Sequence, residues 1–202
     1  MSAAKTTPSG SGLDEALLLR VRDRDPAAMG HFFEHFYDRV YGYLASLLRD
    51  RSAAEDLAQE TFLKLHGALD RLDPSRDPAP WVFTVASNLA RDHWRSGKQR
   101  TARQADAEEI ETLPSESAGD DPLATLEQQE QARQVRRALA ALPEDARQVI
   151  LLRSFQEMGF PQIAETLGLS EDAVRQRHSR AVKRLGEDMT KQNRGTDTRE
   201  RP

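Results

Sequence analysis

A segment near the C-terminal end of the sequence carries residue types that can bind nucleic acid. Five basic residues and no acidic residue lie between positions 175 and 184. At helical spacing the basic and hydrogen-bonding side chains share one face, and the apolar side chains and His178 share the other, where we expect His178 to pack. Arginine can pair with guanine, glutamine with adenine, and serine or lysine with phosphate. The predicted DNA-contacting residues are Arg175, Gln176, Ser179, Arg180 and Lys183.

The residues before this face predict the elements that would hold it in a DNA groove. Ile163, Ala164 and Leu167 line one face of a short helix, and Gly168 suits a sharp turn. Ser170 can cap the helix that follows. The segment 160–185 therefore predicts a helix-turn-helix. The alternative is an ordinary surface helix whose charges are solvated.

A second group of residues could bind a metal. His31, Glu34 and His35 form the H-x-x-E-H pattern of one metalloprotease class, in which two histidines bind zinc and the glutamate acts as a base. A catalytic zinc site needs a third ligand, and the sequence downstream shows none. We expect both histidines to point to solvent, and we predict no metal, no cofactor and no catalytic residue.

The N-terminal half contains a helix that could dock a partner. Helical periodicity extends over residues 32–48 and 54–66, and Ser52 with Glu55 has the spacing of a capping box. In residues 54–66 the side chains of Leu57, Thr61 and Leu65 point to the core. An exposed leucine ringed by polar groups suits a docking surface, although single exposed leucines are common. The residues of this second face are Asp56, Gln59, Glu60 and Leu63.

Charge and composition divide the 202 residues. The net charge is −4, yet residues 101–126 alone hold one basic and seven acidic residues. We predict two helical domains, 13–98 and 123–187, joined by a flexible acidic linker at 99–122, with disordered ends at 1–12 and 188–202. The absence of cysteine excludes disulfides and thiolate catalysis. No apolar run suits a membrane span or a signal peptide, so we expect a cytoplasmic chain without membrane insertion.

The order of these segments resembles that of bacterial RNA polymerase sigma factors of the sigma-70 family, in the extracytoplasmic-function (ECF) group. The resemblance covers residues 13–98, as region 2, and residues 123–187, as region 4. It is carried by AEDLAQETFLKLH at 54–66, PWVFTVASNLARDHWR at 80–95, LPEDARQVILLR at 142–153 and the helix-turn-helix. One of these stretches alone is weak evidence, but four in the right order and spacing are strong evidence.

The resemblance implies a role for each segment. The 54–66 helix would bind the coiled coil of the polymerase β′ subunit, and the 175–183 face would read the −35 element. The 80–95 helix would read the −10 element through Asn88, Asp92 and Arg95, and residues 71–79 would shape a pocket for a flipped base. The linker would enter a positively charged channel of the polymerase, or serve only as a solvated spacer.

The resemblance also implies partners. These are core RNA polymerase (its β′ and β subunits), promoter DNA and an anti-sigma factor, with the chain acting as a monomer within the holoenzyme. The sequence departs from the family at Gly159, Phe160, Pro161 and Gln162, where a serine or threonine, an aromatic residue and glutamates are usual. The alternative function is a dimeric helix-turn-helix regulator that acts without polymerase docking, in which the 54–95 segment has no role.

Overall fold

The computed structural model describes residues 13–104 and 126–197, and these residues form helices without any β-strand. This confirms the predicted all-α fold. A single 3-10 turn at Leu69–Arg71 follows the third helix. The helices are α1 (Glu15–Arg22), α2 (Pro26–Leu48), α3 (Arg51–Gly67), α4 (Ala79–Gln104), α5 (Leu126–Ala140), α6 (Glu144–Ser154), α7 (Phe160–Leu167) and α8 (Glu171–Asp197).

Aspartates begin the first three helices. Asp14, Asp25 and Asp50 each accept a hydrogen bond from the backbone N–H three residues later, at 2.7, 2.8 and 3.1 Å. A carboxylate at this position satisfies a free N–H and complements the helix dipole. The capping box predicted at Ser52 was therefore wrong, because α3 begins one residue before Ser52 and Asp50 caps it.

Two helices extend beyond the predicted domain ends. The helix α4 continues through Gly97 to Gln104, six residues into the predicted linker, and α8 continues to Asp197. The helix α4 passes through Gly97 because one glycine in a helix costs only about 1 kcal/mol relative to alanine and good helix formers follow it. The predicted disordered N-terminus and most of the acidic linker lie outside the described residues.

The helices of residues 13–97 enclose a core around α2. Phe36, Val40 and Leu44 of α2 are fully buried, as is Phe83 of α4. The hydroxyl groups of Tyr43 and Ser87 share a buried hydrogen bond of 2.8 Å between α2 and α4. The same core positions the outer faces of α3 and α4, which carry the predicted polymerase and −10 residues.

The second helical domain packs against the first. The buried residues of both domains form one contiguous hydrophobic cluster, in which α6 contacts α2 and α7 contacts α4. Arg39 Nε of α2 donates to Gln156 Oε1 at 3.0 Å, in the segment between α6 and α7. The sequence predicted two domains but not this contact.

Arg147 of α6 connects the domains through buried hydrogen bonds. Its guanidinium donates to the carbonyl oxygens of Leu139, Ala140 and Leu142, each at 2.9 Å, and to that of Leu47 at 2.8 Å. These carbonyls lie at or beyond the C-terminal ends of α5 and α2, where helix carbonyls lack partners within the helix. One side chain therefore supplies donors to both helix ends.

Among the described residues no helix is both long and apolar enough to cross a membrane.

Candidate promoter and polymerase interfaces

The structure confirms the predicted helix-turn-helix in α7 and α8. Gly168 adopts a left-handed conformation (φ 66°), which a glycine accommodates without steric cost, and it ends α7. Ser170 Oγ accepts from the N–H of Ala173 at 3.2 Å and so caps α8. Both residues act as the sequence predicted.

The basic face of α8 is exposed. All five predicted DNA-contacting side chains of α8 lie at the surface, while Val174 and Ala181 on the opposite face are buried against the domain core. The helix therefore presents Arg175, Gln176, Ser179, Arg180 and Lys183 together to solvent. A rigid helix with a packed apolar face and a cationic outer face can enter a major groove.

Arg175 is held on this surface by two neighbours. Its guanidinium forms an ion pair with Glu171 one turn earlier, and it lies 4.8 Å from the ring centroid of Phe160. Arg153 lies 5.1 Å from the same centroid and donates to the carbonyl of Met158 at 2.9 Å. A cation over an aromatic ring is stabilised by the ring quadrupole. Sequence reasoning missed Phe160 as a support of Arg175, because their proximity depends on how α7 packs against α8.

His178 packs as the sequence predicted. Its half-buried ring meets Phe160 edge-on, with centroids 5.3 Å apart and planes at 73°. Burial, followed by the nearby charge of Arg153, lowers the pKa of His178. The imidazole is therefore held in its neutral form more strongly than a free histidine.

The predicted −10 residues lie along one exposed face of α4. Asn88, Asp92 and Arg95 are all exposed and follow one another at spacings of four and three residues. Arg95 Nη2 donates to Asp92 Oδ1 at 3.0 Å, and Arg91 Nη1 donates to Asn88 Oδ1 at 2.9 Å. Each polar acceptor is thus paired with a cation that can also reach a phosphate. Arg91 therefore supports Asn88 from one turn away, a role that the sequence analysis did not assign to it.

The outer face of α3 carries the predicted docking residues. Leu63 is 73% exposed, the largest exposed fraction among the large apolar residues of the described chain. Asp56 and Gln59 are exposed, and Glu60 pairs with Lys64 at 3.3 Å. Thr61 and Leu65 are buried on the opposite side, as predicted.

The histidine pair on α2 does not form a metal site with a third ligand. His31 and Glu34 are exposed, and no group of three potential metal ligands occurs among the residues that the structure describes. The expectation that His35 points to solvent was wrong. The residue is half-buried, its Nε2 lies 3.1 Å from Arg39 Nη1, and its ring contacts Phe36 edge-on. Burial, followed by the charge of Arg39, lowers the pKa of His35.

Comparisons with known proteins identify the family. The families described as Sigma-70 region 2 and Sigma-70, region 4 match residues 32–109 and 132–185. RNA polymerase sigma factor CarQ of Myxococcus xanthus is 33% identical over 168 residues, which cover 83% of this chain and 92% of CarQ. The chain belongs to the sigma-70 family. ECF RNA polymerase sigma factor RpoE of Cereibacter sphaeroides is 31% identical over 177 residues, covering 87% of this chain and 94% of RpoE.

Solved structures agree with this assignment. CnrH, determined with the cytosolic domain of CnrY, is 25% identical with a TM-score of 0.64, and the match covers 88% of this chain and 97% of CnrH. Bartonella quintana RpoE, determined with the anti-sigma factor NepR, has a TM-score of 0.67 over 80% of this chain and 96% of RpoE. At 22% identity, RpoE shows the fold alone.

The chain is therefore an ECF sigma factor, as its sequence pattern predicted. It binds core RNA polymerase and promoter DNA in transcription initiation. The alternative of a free-standing dimeric regulator is not favoured, because the region 2 match includes α3 and α4, which such a regulator does not use. Sigma factors act by recognising DNA.

Proposed function

We propose that the exposed face of α8 reads the −35 element and that the exposed face of α4 reads the −10 element. The observation that carries the proposal is the division of α8 into a buried apolar face and an outer face of arginine, glutamine, serine and lysine. Arg175 and Gln176 supply groups that pair with guanine and adenine. Ser179, Arg180 and Lys183 supply donors for the phosphates beside them.

On α4 the exposed side chains suit contacts with an unpaired DNA strand. Asn88 keeps its amide N–H groups for a base edge while its oxygen accepts from Arg91. Arg95 can hold a phosphate or stack on a base, and Asp92 orients it through the 3.0 Å pair. The segment 71–79 precedes this face and forms the wall of a pocket for one flipped base. A preformed pocket favours melting because extruding a base costs a few kcal/mol.

On α3, Leu63 is the apolar centre of a polymerase-docking surface. An exposed leucine surrounded by carboxylates and amides matches the pattern of an apolar contact with a polar rim. Asp56, Gln59 and Glu60 form that rim, and the coiled coil of the β′ subunit is the surface we assign to them. We assign the second domain to the β subunit. One copy of the chain acts as a monomer within the holoenzyme.

The remaining assignments follow from the same functional interpretation. The chain acts in the cytoplasm, where its polymerase is, and supplies recognition without catalysis, metal or cofactor. The acidic linker crosses a basic channel of the polymerase between the two recognition sites. Because the polymerase fixes the separation of these sites, binding at one element raises the effective concentration at the other, and the affinity for the whole promoter exceeds that of either contact alone. An anti-sigma factor controls the chain by covering the α3 and α8 faces. Bartonella quintana RpoE, which shares this fold, was solved with such a factor.

Run-off transcription tests the proposal. The purified chain is added to bacterial core polymerase on genomic DNA, and the transcripts are sequenced. We expect defined start sites preceded by a shared two-part motif, with α8 substitutions altering only the upstream part and α4 substitutions only the downstream part. Starts without a shared motif, or α8 variants that alter the downstream part, would refute the assignment.

A further inference from the structure

The first turn of α7 is joined to the loop that precedes α4 by one amide side chain. Gln162 Oε1 accepts from the backbone N–H of Gly159 at 2.8 Å, and Gln162 Nε2 donates to Asp77 Oδ2 at 3.0 Å. The other oxygen of Asp77 accepts from the N–H of Ala79 at 3.0 Å. Both carboxylate oxygens of Asp77 and both polar atoms of the Gln162 amide therefore have a partner, and Gln162 bridges the two domains.

Two further contacts lie beside this bridge. Arg76 Nη2 donates to both carboxylate oxygens of Glu165, at 2.9 Å each. Thr166 Oγ1, which is buried, donates to the carbonyl of Pro80 at 3.4 Å. The exposed ion pair adds little by itself because water and salt screen it. These two contacts, one ion pair and one neutral hydrogen bond, mainly fix the orientation in which α7 packs on α4 and on the loop before it.

We propose that Arg76, Asp77, Gln162 and Glu165 form a clasp that holds the free chain closed and covers the −10 loop. The loop 71–79 is the segment that we assign to the flipped base, so this inference rests on the proposed function. With the clasp closed, the carboxylate of Asp77 and the guanidinium of Arg76 are bonded to side chains of α7, and they have to leave these partners before they can contact DNA. Promoter recognition then requires the two domains to separate at this surface.

The chemistry at position 162 explains a departure from the family pattern. A side chain at this position has to accept from the N–H of Gly159 and donate to a carboxylate oxygen of Asp77. An amide does both, whereas the carboxylate that the family usually carries could accept but would repel Asp77. Gln162 is therefore the residue type that this contact requires.

The clasp lowers the affinity of the free chain for its −10 strand without changing the contacts made by the open form. If only a fraction of the chain is open, the apparent dissociation constant rises by the inverse of that fraction. For a chain that is closed about nine times in ten, opening the clasp raises the apparent affinity about tenfold.

The absence of cysteine allows the contact to be measured directly. Cysteines introduced at the exposed positions Glu34 and Glu187 carry a donor and an acceptor dye, one on each domain. Energy transfer is measured in the full free chain for the parent and for Gln162→Glu. This substitution keeps an acceptor for the N–H of Gly159 and places a negative charge against Asp77. Ser52→Glu, at an exposed position on α3, adds the same charge elsewhere.

We expect Gln162→Glu to broaden and shift the distance distribution and Ser52→Glu to leave it unchanged. Adding Asp77→Asn to Gln162→Glu should restore the parent distribution, because the new amide can donate to the introduced carboxylate. Arg76→Glu and Glu165→Arg should each shift the distance distribution when made alone, because each places two like charges against one another where α7 packs on the loop, and the double variant should restore it. This pair also tests the contact if Gln162→Glu loses its helical circular dichroism. Unchanged energy transfer in the Gln162 and Arg76 variants would overturn the clasp.

Covering of the −10 loop is measured with the unlabelled variants. The probe is the single-stranded non-template oligonucleotide that carries the −10 element mapped by the run-off experiment. We expect Gln162→Glu to bind it about three- to tenfold more tightly than the parent or Ser52→Glu. One outcome would refute the claim that the clasp covers the −10 loop: Gln162→Glu separates the domains but binds the oligonucleotide no more tightly than the parent, although Asn88→Ala does weaken binding. If Asn88→Ala also leaves binding unchanged, the −10 assignment is refuted, while the energy transfer still decides the clasp.

Discussion

Arg147→Ala removes a buried guanidinium that joins the ends of two helices. Arg147 is 6% exposed and donates four hydrogen bonds of 2.8–2.9 Å, three to carbonyls at the end of α5 and one to Leu47 at the end of α2. Burial, followed by the charge of Arg49, lowers the pKa of Arg147, but an arginine remains charged at neutral pH. The substitution therefore leaves buried carbonyls without a donor.

The size of the effect follows from two opposing contributions. A hydrogen bond from a charged donor contributes about 1.5–3 kcal/mol, so four contribute at most about 6–12 kcal/mol. Removing the guanidinium also removes the cost of burying its charge, which is several kcal/mol. We expect a net loss of about 3 kcal/mol in the free energy of unfolding. For a chain of this size, that corresponds to a decrease of roughly 6–12 °C in Tm.

Urea denaturation followed by two probes measures both the loss and its location. Trp81 and Trp94 both lie in α4, so their fluorescence reports on the first domain, while circular dichroism at 222 nm reports on all the helices. We expect coincident transitions in the parent chain and separated transitions in Arg147→Ala, because the link to Leu47 is lost. Arg51→Ala, at an exposed position, is the control and should change stability by less than about 0.5 kcal/mol. An Arg147→Ala chain as stable as this control would refute the reasoning.

The other predictions concern the recognition faces, the buried Tyr43–Ser87 pair and the half-buried His178. Arg175→Ala should weaken promoter binding by about 1–3 kcal/mol and relax −35 preference in a holoenzyme binding assay, and lost core binding would contradict its assignment. Leu63→Asp should abolish co-purification with core polymerase while circular dichroism stays unchanged; undiminished co-purification would exclude this docking face. Tyr43→Phe leaves the Ser87 hydroxyl unpaired and should cost about 1–2 kcal/mol in urea unfolding, mostly recovered by adding Ser87→Ala; a fully additive loss would argue against the shared hydrogen bond. Because folding lowers the pKa of His178, its contribution to stability is complete above pH of about 6.5 and declines as the pH falls through the folded-state pKa. His178→Gln should therefore reduce the decline in Tm between pH 7.5 and 5.5, and an equally steep decline would refute this.

The local structure of the recognition helices could be predicted because short-range signals determine it. Gly168 and Ser170 act within three or four residues of their own positions, as turn and cap, and the structure has both in these roles. The exposed side of α8 follows from helical periodicity alone. Leu63 was predictable for the same reason, since its neighbours Thr61 and Leu65 already occupy the buried face.

Features that depend on competition between neighbours were harder to predict. Ser52 and Asp50 are both good helix caps, and the sequence pattern does not decide which residue the helix uses. In the structure α3 starts at Arg51, and the carboxylate of Asp50 accepts from the N–H of Ala53. Likewise, Gly97 interrupts the helical pattern only weakly, and α4 continues through it.

The contact between the domains could not be predicted, because each residue in it has an adequate role in its own domain. Arg76 and Asp77 are suitable loop residues, and Gln162 completes the first turn of α7 through the N–H of Gly159. Only the packed arrangement joins residues that lie about 85 positions apart. Gln162 nevertheless carried a signal, since it stands where a glutamate is usual and its amide can donate as well as accept. At this position the amide replaces a carboxylate beside the carboxylate of Asp77, so the departure from the family pattern was a local sign of the contact between the domains.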